Sequence, residues 1–311
     1  MRFSNRTDAL SGHYITRRNC LRYLIGGWGL MMTQPLSLIR ASEFKSSPSI
    51  LDRYLGEEIR YKIGYWLIGH VGEAKTEFLR TDLPGIFRIR LKGRGVGFIN
   101  SLLGGIVYSY TSFCQYLPAR DCLRPVYFEL KKQRGTQVSL RSVSYNYKAA
   151  EISFTQTNPT GDTREQKEPM RADGIYEDYL TMLYNFRHGY YGSLQKDYQY
   201  SLPLYIREQM KPVTLYIANL ETEKRLRSRE FKREGKDFFV RFQIPPEDVS
   251  SDTGEILGWF SADGVPVKGT IQDVVFFGDL WGELQEREIV TNSQSVRVPD
   301  VVKTLLNGML E

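Results

Sequence analysis

From Ile59 onward apolar and polar residues alternate along the chain. Ile59, Tyr61, Ile63, Tyr65 and Leu67 are separated by Arg60, Lys62, Gly64 and Trp66, and a period of two marks a strand with one face buried. Gly69-His70 then turns the chain into a second run over residues 71–79, as in a hairpin. After Pro84-Gly85, Phe87, Ile89 and Leu91 take one side while Arg88, Arg90 and Lys92 take the other. The plainest reading of that cationic stripe is a solvated sheet face. Further strands are predicted over 107–116, 126–132, 138–147 and 151–155. The pattern resumes with Val213, Leu215 and Ile217, and again with Phe238, Val240, Phe242 and Ile244. Residues 256–261, 265–277 and 280–288 read as a closing meander, with Asp263-Gly264 as a tight turn.

One segment has a different period. Ile175, Tyr179, Leu183 and Phe186 share one helical face, with Asp173 as the expected cap and the glycines of 189–192 as the end. Residues 158–173 are polar and predicted as an exposed loop. Residues 221–236, with seven cations and four acids, read as an extended, solvated hairpin. Residues 298–310 form a final short helix or an ordered tail. The sum is a mainly β domain, mostly antiparallel, with one main helix laid on a sheet face.

The first forty or so residues are not fold material. Thr16-Arg17-Arg18-Asn19-Cys20-Leu21-Arg22 follows the twin-arginine export pattern. The apolar stretch that follows, 23–33, falls short of the roughly 20 residues needed to span a bilayer but suits the core of a signal peptide. Cys20 stands where such leaders usually carry Phe, and Ile39 is large for the approach to a cleavage site near Ala41. An ordinary secretory leader and a retained anchor are the alternatives. The expected organisation is a twin-arginine-type signal peptide over 1–41, a linker over 42–55, the β domain over 56–288 and a C-terminal tail over 289–311. The expected location is the periplasm, reached through the twin-arginine translocation machinery.

The leader changes how the charge is read. The formal net charge of +6 invites a nucleic-acid partner, but residues 1–41 hold six arginines against one acid. That surplus of five leaves +1 on the remainder, and nucleic acid is not an expected partner. Composition otherwise adds a wealth of aromatics, 20 Tyr and 16 Phe, which favours β-structure.

Chemistry is sought and not found. Gly93-Arg94-Gly95 lacks the third glycine of a dinucleotide loop, since Phe98 takes its place. Beyond the leader only His70 and His188 remain, neither at metal-site spacing from another His or Cys. No nucleophile elbow, P-loop or Cys-x-x-Cys pattern occurs, so neither a cofactor nor a metal is expected. Cys114 and Cys122 form an even pair in an oxidising compartment, a disulfide candidate; two unpaired buried thiols are the alternative. A bond needs Cα atoms within about 7 Å. The hairpin must then turn symmetrically about Pro118, because a two-residue turn at Pro118-Ala119 would put the cysteines on opposite faces.

Gly56-Glu57-Glu58-Ile59-Arg60-Tyr61, continuing through Gly69 to Ala74, resembles the opening of a bacterial exported family, domain of unknown function 3108. Leu123-Arg124-Pro125 is similar to a strand start of that family. Asp178-Tyr179-Leu180-Thr181-Met182-Leu183-Tyr184-Asn185-Phe186-Arg187 is similar to its helix, and Trp259-Phe260-Ser261-Ala262-Asp263 with Pro266-Val267 to its closing hairpin. The resemblance runs over about residues 50–288 in order, with His70 where the family has a small residue. It implies an envelope protein with one strongly curved antiparallel sheet, half-barrel-like, and the main helix against its concave side, comparable in shape to lipoprotein carriers.

The leading expectation is therefore a non-enzymatic periplasmic protein that binds an apolar or amphipathic envelope component, such as a lipid, in a sheet-lined cavity. Tyr61, Tyr65, Tyr179, Leu183, Phe186 and Trp259 are the candidate cavity residues; the alternative for each is a place in a dry core. Two other functions stay open. One is an envelope assembly module working through a strand edge or the 221–236 hairpin. The other is an enzyme whose polar groups converge on a cleft around His70 or His188.

Overall fold

The structure, a computed structural model, describes residues 48–65, 69–102, 104–171, 174–205, 211–229, 237–249, 251–274, 278–291 and 294–310. The leader, with Arg17 and Arg18, lies outside them. Among the described residues fourteen strands form one antiparallel sheet that is not closed into a barrel. The first meander comprises β1 (Glu57–Tyr65), β2 (Gly69–Arg80), β3 (Ile86–Gly95), β4 (Ile106–Leu117), β5 (Cys122–Arg134), β6 (Gln137–Asn146), β7 (Glu151–Thr157) and β8 (Thr163–Pro169). The second comprises β9 (Tyr198–Leu204), β10 (Lys211–Ile217), β11 (Phe238–Gln243), β12 (Glu255–Phe260), β13 (Pro266–Val274) and β14 (Gly278–Ile289). Each meander pairs its strands in sequence order, and β14 pairs with β1 to join the two. The sheet edges are thus β8 and β9, neighbours in sequence at opposite ends of the sheet. A helix, α3 (Tyr179–His188), connects them.

That topology forces the sheet to bend. Val143 and Tyr145 of β6, Ile152 and Phe154 of β7, Leu202 of β9, Leu215 of β10 and Val240 of β11 are buried in one hydrophobic cluster with Met182 and Phe186 of α3. Strands near opposite ends of a flat sheet could not share a core. Irregularities in register between Arg60 and Tyr61, Phe113 and Cys114, and Trp259 and Phe260 add local bend. The two edges meet through side chains: the Tyr145 hydroxyl donates to the Tyr205 carbonyl at 2.5 Å, and the Tyr205 hydroxyl to Glu168 at 2.5 Å. The expected curved sheet with a helix on its concave side is what the chain forms.

Several expectations need correction. The linker predicted over 42–55 is not one throughout. Residues Ile50–Tyr54 form a helix, α1, whose Ser49 and Asp52 cap each other's backbone, and whose Ile50 and Tyr54 are buried beside Tyr184 of α3. The predicted loop over 158–173 contains β8, an exposed edge strand without apolar alternation because it has no core to face. The predicted hairpin over 221–236 contains a helix, α4 (Leu220–Arg229). The cap of α3 is Asp178 rather than Asp173; its carboxylate accepts from the Leu180 and Thr181 N–H groups, and Gly189, left-handed at φ 88°, ends the helix. Two shorter helices, α2 (Gly97–Leu102) and α5 (Pro246–Val249), fill connections.

The C-terminal segment belongs to the domain. Val298, together with Val302 and Leu306 of the last helix, α6 (Asp300–Leu310), packs on Ile86, Phe113, Val126 and Tyr127. Ile86 and Phe113 adjoin Phe87 and Cys114, which face α3, so α6 covers the outer face of the sheet. Beside it Arg88 and Arg90 bind Glu77 of the neighbouring strand at 3.2 and 3.1 Å. The cationic stripe is an ion-paired outer face.

The disulfide does not form either. Cys114 and Cys122 are free and buried. The ladder pairs Leu117 with Cys122 and Cys114 with Pro125. The hairpin is therefore centred between Ala119 and Arg120 instead of on Pro118, and its register puts the two side chains on opposite faces. Burial pushes both thiols up, Cys122 to about 11, so neither is a thiolate at neutral pH.

If α1 is part of the core, truncating its fully buried anchor must register in global stability. Ile50→Ala is expected to cost about 2–5 kcal/mol in urea denaturation followed by circular dichroism. A loss below 0.5 kcal/mol, the size of an ordinary surface substitution, would return these residues to the linker.

Candidate functional site: an apolar cavity beneath the main helix

Between α3, strands β9–β13 and, from the first meander, Leu91 of β3 and Tyr110 of β4 lies a cavity of about 310 Å³. Its helix wall is Tyr179, Leu183 and Phe186, one stripe of α3. Its strand wall includes Leu202, Leu215, Val240, Phe242, Ile256 and Phe260. Along β11 and β12 these residues are two apart, so they share the inner face. Gly258 and Gly269 sit opposite each other on β12 and β13 and also line the cavity. Where other inward positions bring a side chain, this pair brings none. A Cβ on Gly258 would stand 2.8 Å from the Lys268 carbonyl oxygen, whereas one on Gly269 meets nothing nearer than 3.6 Å. The floor is buried, but Tyr179, Leu183, Phe242, Ile256 and Phe260 remain half-buried, so the cavity is open along one side.

Three of the six candidate residues line this cavity: Tyr179, Leu183 and Phe186. The other three do not. Tyr61 donates its hydroxyl to the Pro266 carbonyl at 3.1 Å and, half-buried, lines a separate polar pocket with Lys62 and Glu73. Tyr65 lies at the far end of β1. Trp259 is fully buried, but with Ile256, Gly258 and Phe260 facing inward its side chain leaves by the other face, where it packs on Phe239 and Val267. Sequence reasoning favoured aromatics and passed over the aliphatic wall. Leu215, Val240 and Phe242 showed the right alternation, but no pattern identified the facing glycines.

Two buried polar clusters hold α3 over the cavity. In the first, Glu57 of β1 is fully buried and accepts four hydrogen bonds: two from Arg187 at 2.7 Å each, one from Arg287 at 2.8 Å and one from Tyr184 at 2.9 Å. Arg287 also binds Asp263. Burial works against the Glu57 carboxylate, yet these donors hold it below the ordinary range. The Arg187 guanidinium stacks over the rings of Tyr54 and Tyr184. In the second cluster, Asp178 receives the Ser112 hydroxyl at 2.5 Å, while Glu177 receives Asn185 at 2.7 Å and Tyr191 at 2.6 Å. Burial pushes Glu177 up to about 8 and Asp178 up to about 6. At the end of the helix His188 Nε2 lies 2.8 Å from Asp121, whereas His70 is exposed at the start of β2.

A profile of the family described as "Protein of unknown function (DUF3108)" matches residues 60–282. The chain belongs to this family. No curated protein matches the sequence. Among solved structures the chain is similar to a beta-barrel-like protein of domain of unknown function DUF1849 from Brucella abortus. The identity is 12% over 76% of this chain and 98% of that one, with a TM-score of 0.40. A DUF1089 family protein from Pseudomonas aeruginosa is similar at 8% identity over 66% of this chain and 91% of that one, with a TM-score of 0.29.

The stretches that carry the DUF3108 resemblance, scattered along the sequence, converge on α3. The opening stretch supplies Glu57, the helix supplies Tyr184 and Arg187, and the closing hairpin supplies Asp263. Leu123 of the strand-start stretch is clasped by Asn185, which accepts its N–H at 2.8 Å and donates to its carbonyl at 2.7 Å.

Two outcomes follow from the opposite pKa directions. Glu57→Gln strands the buried Arg187 and is expected to cost about 3–5 kcal/mol at pH 7, measured by urea denaturation. Glu177 binds its proton more tightly folded than unfolded. Its contribution is therefore full below pH 4.5 and declines as the pH rises towards about 8, with a slope approaching about 1.4 kcal/mol per pH unit. Glu177→Gln should flatten that decline and leave the protein more stable than the unsubstituted chain at pH 8. Equal pH dependence in the two chains would show that Glu177 is ionised in the fold.

Proposed function

We propose that this DUF3108 chain is a non-enzymatic envelope protein that holds an apolar or amphipathic molecule in the cavity beneath α3. The observation that carries the reading is the cavity itself, about 310 Å³ lined by aliphatic and aromatic side chains with one cation, Lys268, among them, within the size range of small-molecule sites. Natural interiors are close-packed, and here a facing glycine pair withholds side chains from the space. The Thr16–Arg22 stretch supports delivery to the periplasm by twin-arginine export, and an exported apolar site has envelope lipids or their fragments within reach.

Two measurements test the reading. The purified chain, extracted with organic solvent, should release a stoichiometric apolar molecule to mass spectrometry, or else bind an added fluorescent fatty-acid analogue. Gly269→Leu should then weaken binding of the analogue by roughly tenfold, because its side chain displaces about two buried methylenes at about 0.8 kcal/mol each. Absence of both a co-purifying molecule and any binding removes the proposal.

A further inference from the structure

Resting on the reading above, the geometry points to the class of ligand: a single-chain amphiphile whose terminal group is an anion, held in a second compartment of the same trough. Next to the apolar cavity lies a polar cleft of about 680 Å³, and the two share Phe186. They follow one another along three of the elements that bound them, α3, β11 and β12 with the turn after it. On β11, Phe238 lines the cleft while Val240 and Phe242 line the cavity, all three on one face. From β12 onward, Phe260 lines the cavity and Ala262 the cleft. On α3, Tyr179 and Leu183 line the cavity and Arg187 and His188 the cleft. An extended molecule lying along the helix, about 15 Å long at the usual rise, would pass from one compartment to the other beside the Phe186 ring.

The lining of the cleft fixes the sign of the charge. It presents Arg53, Arg187, Arg287 and His188 against one acid, Asp263. Glu57 balances Arg187 and Arg287 from behind, and Asp121 faces His188 at 2.8 Å, but neither carboxylate lines the cleft. Two nitrogens also remain unused. Arg187, with no exposed side-chain surface, leaves Nε without a hydrogen-bond partner, and His188, 10% exposed, does the same with Nδ1. Such buried groups are expected to be satisfied. The Arg187 Nε–H can donate, and His188, whose Nε2 already faces the Asp121 carboxylate, donates from Nδ1 as well only as the imidazolium; a carboxylate or phosphate monoester is the acceptor that suits both. A neutral hydroxyl head would use the same cleft without the charge.

The test compares laurate with glycerol monolaurate, which share a chain and differ in the charge of the head. Each is titrated against the purified chain below its micelle concentration, by displacement of a fluorescent fatty-acid analogue. Laurate is expected to bind roughly tenfold or more tightly than the monoester, as for a hydrogen bond to a charged group. Arg53→Gln, an exposed position, and His188→Gln should each reduce that preference by weakening laurate binding more than monolaurate binding. Equal binding of the two probes overturns the headgroup assignment and leaves the cavity reading intact. A laurate preference that survives both substitutions overturns the placement in this cleft. Failure of both probes to bind removes the cavity reading and this inference with it.

Discussion

The fold depends on a single carboxylate. Glu57 stands on β1, the strand where the two meanders join, and it receives Arg187 and Tyr184 from α3 and Arg287 from β14. Burying that charge is costly, and an apolar group of similar shape often matches or exceeds the stability of a buried ion pair. What the charged version adds is direction. A bidentate Arg–carboxylate contact tolerates little rotation, so α3 is held in one register and at one height over the sheet. The return from one sheet edge to the other runs through this helix, so fixing it also fixes how far the sheet can curl.

A hollow follows from that arrangement. A helix of ten residues reaches about 15 Å, whereas the 13 residues of β5 extend over roughly 43 Å. Fourteen strands wrapped around so short a helix leave space that α1 and the loops fill at one end only. Side chains could have filled the rest, but the inward positions of β12 and β13 carry Gly258 and Gly269. A sealed dry void of 310 Å³ would cost on the order of 7 kcal/mol by the scaling for truncated side chains, comparable with the whole stability of a typical domain. The open side admits water and lowers that cost, and an apolar occupant would lower it further.

The sequence makes the strands legible because alternation is a local property. Phe87, Ile89 and Leu91 face the core, and Phe238, Val240 and Phe242 share a face, as their spacing requires. What it hides is set by distance or by competing local rules. Residues 163–169 carry no alternation because this edge strand, unlike β9, has no buried face to specify. The run Leu220–Arg229 places Glu221 four residues before Arg225, and Glu223 four before Arg227. That is helical spacing of opposite charges, which a reading of mixed charge as surface hairpin overlooks. Trp259 has the composition of a cavity residue but the wrong parity, and parity is known only once the register of β12 is. The hairpin joining β4 and β5 turns one and a half residues later than a disulfide needs. Glu57 stands in a recognisable opening stretch, yet nothing local marks its partner 130 residues away.

The distribution of these contacts bears on how the site could admit a ligand. Along the last turns of α3, Tyr184 and Arg187 are tied to β1, Asn185 to β5 and His188 to the turn before β5. Phe186, between them, faces the apolar cavity. The helix wall is thereby anchored on the side away from the cavity by two strands and a turn. The opposing wall presents Phe242, Ile256 and Phe260, half-buried and held by apolar packing, which is non-directional and adapts to small shifts more readily than a bidentate ion pair. A ligand entering the trough would meet one rigid wall and one compliant wall. The compliant one lies on β11 and β12, where the single shared ring of Phe186 packs on Phe260 at 6.2 Å and divides the apolar compartment from the cationic one.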